Sequence, residues 1–480
     1  MECRRTMNSY NKLINNSFIF AIGTLGSRLV SFVLLPIYTH YLQTEEYGSV
    51  ELITTTVAML LPIVSLSMHD ATLRFVMEKS NSKNDILSNS MLVAAVGIGG
   101  SILFYPIISY VDIFGDYLVF LYILLIVEIY QNIFAQYTRA IGKLRVYAAN
   151  GVLLTLSTGS LNILFLVVFE MGVEGYLFSL VLAFTISTFY LFISSKIYLN
   201  LSFNRINFNI WKKLIIYSLP LIPNTLMWWL INASSRYFIA YYVGLSANGL
   251  FGIASRIPSL LTLVSQVFNQ AWQLSVIEEY DNKNNTSFYS EIFDYFSSIM
   301  FISISMIILM LKLAFELLFE ASYFEAWQVT PFLLLSAVFS SFTGFLGSVY
   351  IATKSTKGVF KTSVYGGIVS IVFNYILIPR IGIIGAGIAS TICFFIIFIL
   401  RLMDTNKLIE LKVSFSKFIP GLLIILFQIT VLFSGLSDKI ELTVNLVLFI
   451  LLIIINRDLL QIAHNITIFV FKKVKNKIGK

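Results

Sequence analysis

The chain has 480 residues, 57% of them apolar and only 12% charged, with 42 phenylalanines, a formal charge of +8 and a mean hydropathy of +0.83. Charge at about half the ~25% usual for soluble proteins cannot cover a water-soluble body of this size, which excludes a cytosolic enzyme, a secreted globule and a disordered scaffold. Two cysteines, Cys3 and Cys393, and three scattered histidines exclude a disulfide framework and a His/Cys metal cluster.

A helix that crosses a bilayer needs about 20 mostly apolar residues. In chain order the sequence offers fourteen such stretches: 13–36, 47–68, 86–111, 117–137, 146–169, 173–195, 214–234, 248–277, 292–313, 326–353, 360–378, 383–403, 418–435 and 440–456. The first is too long for a signal-peptide core and lacks a small-residue cleavage site after it, so it reads as a retained helix. Alternating strand patterns are absent, which excludes an outer-membrane barrel. The expected fold class is an all-α polytopic membrane protein.

Orientation follows from the placement of Lys and Arg. With the N-terminus in the cytoplasm, 27 of the 33 basic residues fall on the inner side. The outer side receives three, Arg236, Arg380 and Lys439, and Arg28, Arg256 and Lys312 fall within or at the edge of spans. This places both termini inside and explains the basic charge as topology, with no call for nucleic acid. The tail 457–480 is expected along the inner leaflet, held by its lysines.

The chain also repeats itself weakly. Tyr41 to Gly48 matches Tyr242 to Gly249, 201 residues on, and Ala140 to Lys143 matches Ile351 to Lys354 at an offset of 211. Asn162, with Gly172 to Gly175, parallels Asn374, with Gly382 to Gly385. The expected organisation is two pseudo-symmetric six-helix lobes, 1–195 and 214–403, joined by a basic linker, 196–213, around a central cavity. Helices 13 and 14, 418–456, stand outside the repeat. Because six is even, the lobes are related by an axis along the membrane normal.

Arg28 followed by Pro36 to Gly48, then His69 to Phe75, Arg139 to Lys143, Leu219 to Pro223, Gly249 to Arg256 and Asn374 to Gly387 resemble in their order the polysaccharide (O-antigen) flippases. These belong to the MATE-like superfamily of multidrug and oligosaccharidyl-lipid exporters. One departure is visible: where such proteins often carry an Asp-Arg pair near the end of span seven, Ser235 precedes Arg236.

The resemblance implies a flippase without cofactor in the bacterial cytoplasmic membrane. It would move a polyprenyl-pyrophosphate-linked oligosaccharide from the inner to the outer leaflet by alternating access, for O-antigen, capsule or exopolysaccharide. A proton or sodium gradient, membrane lipids and a polysaccharide polymerase are the further partners it implies. A MATE-type drug/cation antiporter and a lipid II flippase are the alternatives.

Charges inside the bilayer cost about 2.5–3.5 kcal/mol each on insertion scales and are functional candidates by default. Arg28 in span one and Arg256 in span eight are the candidates for binding a pyrophosphate, one from each lobe, since planar guanidinium forks match phosphate oxygens. Glu128 in span four is the candidate for ion coupling, or else the structural partner of Arg28. Asp70 and Arg74, four apart at the inner end of span two, fit a gate or a structural ion pair on one helix face. Lys312 is expected to snorkel to the outer interface. Trp228 and Trp229, with Gln136, Asn150, Asn162, Asn232, Gln266, Asn269 and Gln270, either contact sugar or join helices.

Overall fold

The computed structural model describes residues 30, 32–78, 82–111, 114–201, 206–279, 286–353, 356–409, 411 and 413–458. Among these residues every regular element is helical, giving an all-α polytopic membrane fold. Eleven helical stretches are long and apolar enough to cross a membrane, from Thr44–Val64 to Phe415–Leu432. They hold the second to thirteenth expected spans, because Gly358–Thr405 contains two of them. The first expected span lies mostly outside the described residues. The fourteenth is helical but carries Asp438, Lys439 and Glu441 near its start.

The chain folds as two compact units. The first comprises residues up to Ile253, with Leu318–Glu325 and Asn374–Ile383; the rest form the second. The division therefore falls at Ile253, beyond the expected linker, because the helices of span seven pack on those of span two and its neighbours.

The first unit opens with α1 (Leu35–Tyr41), with Pro36 in its first turn where no backbone N–H is needed. Next comes α2 (Thr44–Val64), capped by Glu46, whose carboxylate accepts from the Gln43 N–H at 2.8 Å. Leu66 and Ser67 then adopt left-handed backbone, both at φ +49°, and divide α2 from α3 (Met68–Val76). Such geometry costs roughly 1–2 kcal/mol per residue outside glycine. Further on come α4 (Lys83–Ile102), α5 (Tyr105–Val111), α6 (Leu118–Ala140) and α7 (Leu144–Asn162). A π turn, Ile163–Val168, precedes α8 (Gly172–Ser194), α9 (Ile197–Asn200), α10 (Phe208–Ser218), α11 (Leu221–Tyr242) and α12 (Leu245–Ala254).

Apolar side chains gain little by packing on each other when lipid is the alternative, so polar contacts and small residues specify helix pairing. Gln131 on α6 donates to Ser187 on α8 at 3.2 Å, and Ser187 donates to Asn150 on α7 at 2.8 Å. Asn162 donates to the Tyr38 hydroxyl of α1 at 2.9 Å and accepts from Ser179 of α8. Asn150 and Asn162 thus join helices. Asn374 makes the corresponding link in the other half of the repeat. It accepts from Ser235 at 3.1 Å and donates to Ser234 at 3.3 Å, both on α11, as Asn162 bonds to Tyr38 of α1.

The second unit contains α13 (Arg256–Glu279), α14 (Thr286–Leu309), all but the last residue of α15 (Leu311–Leu318), α16 (Thr330–Ala352), α17 (Thr356–Thr405) apart from Asn374–Ile383, α18 (Phe415–Leu432) and α19 (Asp438–Ile455). Pro258 has no N–H and its ring crowds the carbonyl of Ala254; the chain leaves helical geometry at Ser255. α17 is two consecutive helices separated by a kink, broken at Ile381 (φ −132°) and Gly382 (φ +59°, ψ −141°), just after Pro379. The boundary between the eleventh and twelfth spans was expected there.

Aromatic side chains fill this unit. Trp272 stacks on Phe345 with centroids 4.3 Å apart and donates its indole N–H to the Phe345 carbonyl. Phe268 stacks on Phe296 at 4.2 Å, and Phe293, Phe342, Phe398 and Phe418 continue the cluster across α14, α16, α17 and α18. Two basic residues have partners within this unit. Arg401, sorted to the inner side at the end of the twelfth expected span, is 2% exposed and donates to Thr362 Oγ1 at 3.1 Å and to the Thr343 carbonyl at 2.8 Å. Lys312, expected to reach water, lies 2.6 Å from the Glu441 carboxylate and 4.5 Å from the centre of the Trp327 ring. The acid comes from the first turn of α19, and the Lys312 side chain stays partly exposed beside it.

Candidate functional site

Gly48 and Gly249, which the repeat equates, meet in the first unit. A Cβ on Gly48 would lie 1.9 Å from the Leu245 carbonyl oxygen, and a Cβ on Gly249 would lie 1.9 Å from that of Thr44. The partner residues, Thr44 and Leu245, are separated by the same 201 positions as the glycines, so the contact is reciprocal about a local two-fold axis. Only hydrogen side chains let two helix backbones approach so closely. Asn248 donates to the Gly48 carbonyl at 2.8 Å, and the hydroxyls of Thr44 and Ser246 are 2.7 Å apart.

One turn further along α2, this crossing sets Glu51 against α12. A Cβ on Gly252 would lie 2.8 Å from Glu51 Cγ, so the glycine makes room for the acid's arm. There the carboxylate meets Arg236 of α11. Arg236 Nη2 lies 3.0 Å and Nε 3.1 Å from the same oxygen, Oε2, and the guanidinium sits 5.9 Å from the centre of the Phe251 ring. The Glu51 and Arg236 side chains are 6% and 15% exposed. Both belong to membrane-spanning stretches, Thr44–Val64 and Phe208–Tyr242.

The sequence reading missed this pair. Arg236 was assigned to the outer side, but α11 continues to Tyr242 and keeps it inside. Glu51 lies within span two, and its membrane-embedded charge was the available signal. The acid missing at position 235 is supplied by another helix.

Close hydrogen bonds surround the pair. The Trp229 indole N–H donates to the Thr55 carbonyl at 3.1 Å, and the Tyr237 hydroxyl is 2.6 Å from Thr56 Oγ1. Trp229 is thereby packed between helices. The Asn232 side chain donates to the Trp228 carbonyl within its own helix.

The other sequence candidates are dispersed. Arg28 lies outside the described residues. Arg256, expected two turns into a helix, instead begins α13 in the second unit because of the break before Pro258, and is half-buried. Glu128 is half-buried on α6, with no ion-pair partner among the described residues. Asp70 and Arg74 do not pair with each other. Asp70 lies 3.4 Å from His69 Nε2, and Arg74 lies 3.2 Å from Glu78, the next residue of its own face. A basic residue inside one turn of two acids takes the one its rotamer reaches, and here it is the C-terminal one. His69, outside the spanning stretch Thr44–Val64, has its imidazole pushed below the usual range by burial, against the opposing pull of Asp70. Among the described residues no cluster of His, Cys, Asp and Glu is arranged to hold a metal ion.

Comparison with known proteins places this architecture. Its likeness to the inward closed conformation of the lipid II flippase MurJ covers 92% of this chain and 100% of that one, with a TM-score of 0.70 at 16% identity. An inward-facing multidrug resistance MATE family transporter of the MOP superfamily gives 0.68 at 14% identity, covering 81% and 98%. A MOP superfamily transporter from Pyrococcus furiosus, described as having a binding pocket of reverse polarity, gives 0.57 at 15% identity, covering 82% and 95%. At such identities the likeness carries the fold.

In sequence, 118 residues are 31% identical to an uncharacterized membrane protein of Methanocaldococcus jannaschii, covering 24% of this chain and 22% of that protein. Another 118-residue match is 30% identical to an Lsg locus protein of Haemophilus influenzae, covering 22% and 29%. The chain thus spans less than a third of the length of either relative. The family model described as polysaccharide biosynthesis protein matches residues 13–277, more than half of the 480 residues, and the chain belongs to that family.

Proposed function

We propose that the protein is a flippase for a polyprenyl-pyrophosphate-linked oligosaccharide, carrying it from the inner to the outer leaflet of the bacterial cytoplasmic membrane by alternating access. The observation that carries this reading is the family match over 13–277 on a fold shared with a lipid II flippase. Polysaccharide assembly needs sugars moved across a bilayer that they cannot enter, and a multi-pass helical protein is the means. Arg28 and Arg256 are proposed to contact the pyrophosphate, since guanidinium forks bind phosphate oxygens in pairs. Glu128, half-buried in its span, is the proposed site of coupling to a proton or sodium gradient. Asp70 and Arg74, each with another partner, are proposed to serve the inner end of span two either as a gate or structurally. Both termini are proposed to be cytoplasmic, and the product would pass to a polysaccharide polymerase. The specific pathway, O-antigen, capsule or exopolysaccharide, follows from the sugars attached.

A MATE-type drug/cation antiporter is the second reading, favoured by the MATE neighbours of the fold. Complementation of a flippase-null strain separates the two. Restored surface polysaccharide supports the flippase, and its loss in both Arg28→Ala and Arg256→Ala at normal membrane abundance supports their roles. Absence of complementation together with drug efflux would replace the reading by the antiporter.

A further inference from the structure

The ion pair between Glu51 and Arg236 is not the only link between its helices. Independent hydrogen bonds also fasten α11 to α2, from Trp229 to Thr55 and between Tyr237 and Thr56. Ser235, the residue next to Arg236, is fastened separately to Asn374. The backbone that carries Arg236 is therefore anchored by bonds that do not involve the guanidinium.

A buried ion pair is also poor evidence of a stabilising device, because apolar replacements of both partners are often neutral or better. What such a pair does provide is a cation kept neutralised in an apolar span until a stronger anion arrives. The geometry suits exchange. Arg236 Nε and Nη2 converge on one carboxylate oxygen, whereas a diphosphate presents several oxygens and more charge to the same planar fork. With its side chain 15% exposed, Arg236 is the more open of the two partners.

We infer that Arg236 is an anion-binding group for an organic diphosphate, and that Glu51 is its resident counter-ion, displaced when the diphosphate binds. This rests on the flippase reading for the identity of the natural ligand, while the exchange itself is tested with inorganic pyrophosphate. The role is distinct from that proposed for Arg28 and Arg256, because here the protein supplies its own competing anion.

The test uses the full chain in nanodiscs of uncharged lipid, with pyrophosphate binding followed by calorimetry. Removing the competitor in Glu51→Gln should tighten binding about tenfold, which corresponds to about 1.4 kcal/mol. Arg236→Gln should abolish that gain in the double variant, while Arg236→Lys retains part of it. Equal affinity in wild type and Glu51→Gln, or undiminished binding in the double variant, overturns the inference. In the wild type itself, pyrophosphate should increase carbodiimide labelling of Glu51, read by mass spectrometry; unchanged labelling overturns it even if a variant fails to fold. Failure to complement a flippase-null strain while the exchange persists removes the flippase reading alone. Complementation without exchange removes only this one.

Discussion

The reciprocal glycine crossing of α2 and α12 makes a prediction whose size can be worked from distances. In Gly48→Ala the added Cβ would sit 1.9 Å from the Leu245 carbonyl oxygen, with the carbonyl carbon at 2.8 Å and the Gly249 nitrogen at 2.9 Å. All three are backbone atoms, so no rotamer change relieves the clash. Restoring an ordinary carbon–oxygen contact requires the helices to part by about 1.3 Å, and overpacking of this kind costs typically ~1–3 kcal/mol. The separation is read by cross-linking. The hydroxyls of Thr44 and Ser246 are 2.7 Å apart, so Thr44→Cys with Ser246→Cys, in a chain whose Cys3 and Cys393 are replaced by serine, should oxidise readily. Adding Gly48→Ala, or Gly249→Ala by the reciprocal contact, should lower the yield several-fold, since a disulfide tolerates little change in Cβ separation. An unchanged yield in both would refute the argument that glycine is needed for the approach.

Two further outcomes follow from pairs inside single units. Lys312→Met leaves Glu441, 8% exposed, without its cation; loss of about 3–5 kcal/mol is the general scale for breaking a buried pair, and the partial exposure of Lys312 puts the value at the lower end. The double variant Lys312→Met with Glu441→Leu should recover most of it in mixed-micelle unfolding, and a double variant no better than the single would contradict the pairing. Asn162→Ala removes one partner from each of the Ser179 and Tyr38 hydroxyls, and Asn374→Ala removes one from each of Ser234 and Ser235. Each should cost about 1–3 kcal/mol, and losses of similar size would support the equivalence of the two asparagines; a negligible loss for either would speak against it.

Most of the secondary structure was legible because hydropathy over a span length is a local property of the chain. Twelve spans came directly from it. So did the break near Gly382, where Pro379 and a glycine with positive φ interrupt one continuous apolar run. The repeat was legible too, through Gly48 with Gly249 and Asn162 with Asn374. Helix continuity was harder. Span eight reads as one stretch with a kink-forming proline inside it, and in the fold Pro258 divides it and leaves Arg256 at a helix start.

The charges were the least legible feature. Sorting Lys and Arg by side put Arg236 on the outer and Arg401 on the inner side, each near the end of an apolar run. The fold buries both side chains: α11 extends about two turns past the expected end of its span, and Arg401 is enclosed by Thr343 and Thr362 of neighbouring segments. The Glu51–Arg236 pair joins residues 185 apart and the Lys312–Glu441 pair joins residues 129 apart. By itself the sequence determined that the chain enters the bilayer and where its helices run, since these depend on composition and spacing along one segment. Which acid neutralises which base was decided only by the tertiary structure, because it depends on which helix faces come together, and that is a property of no single segment.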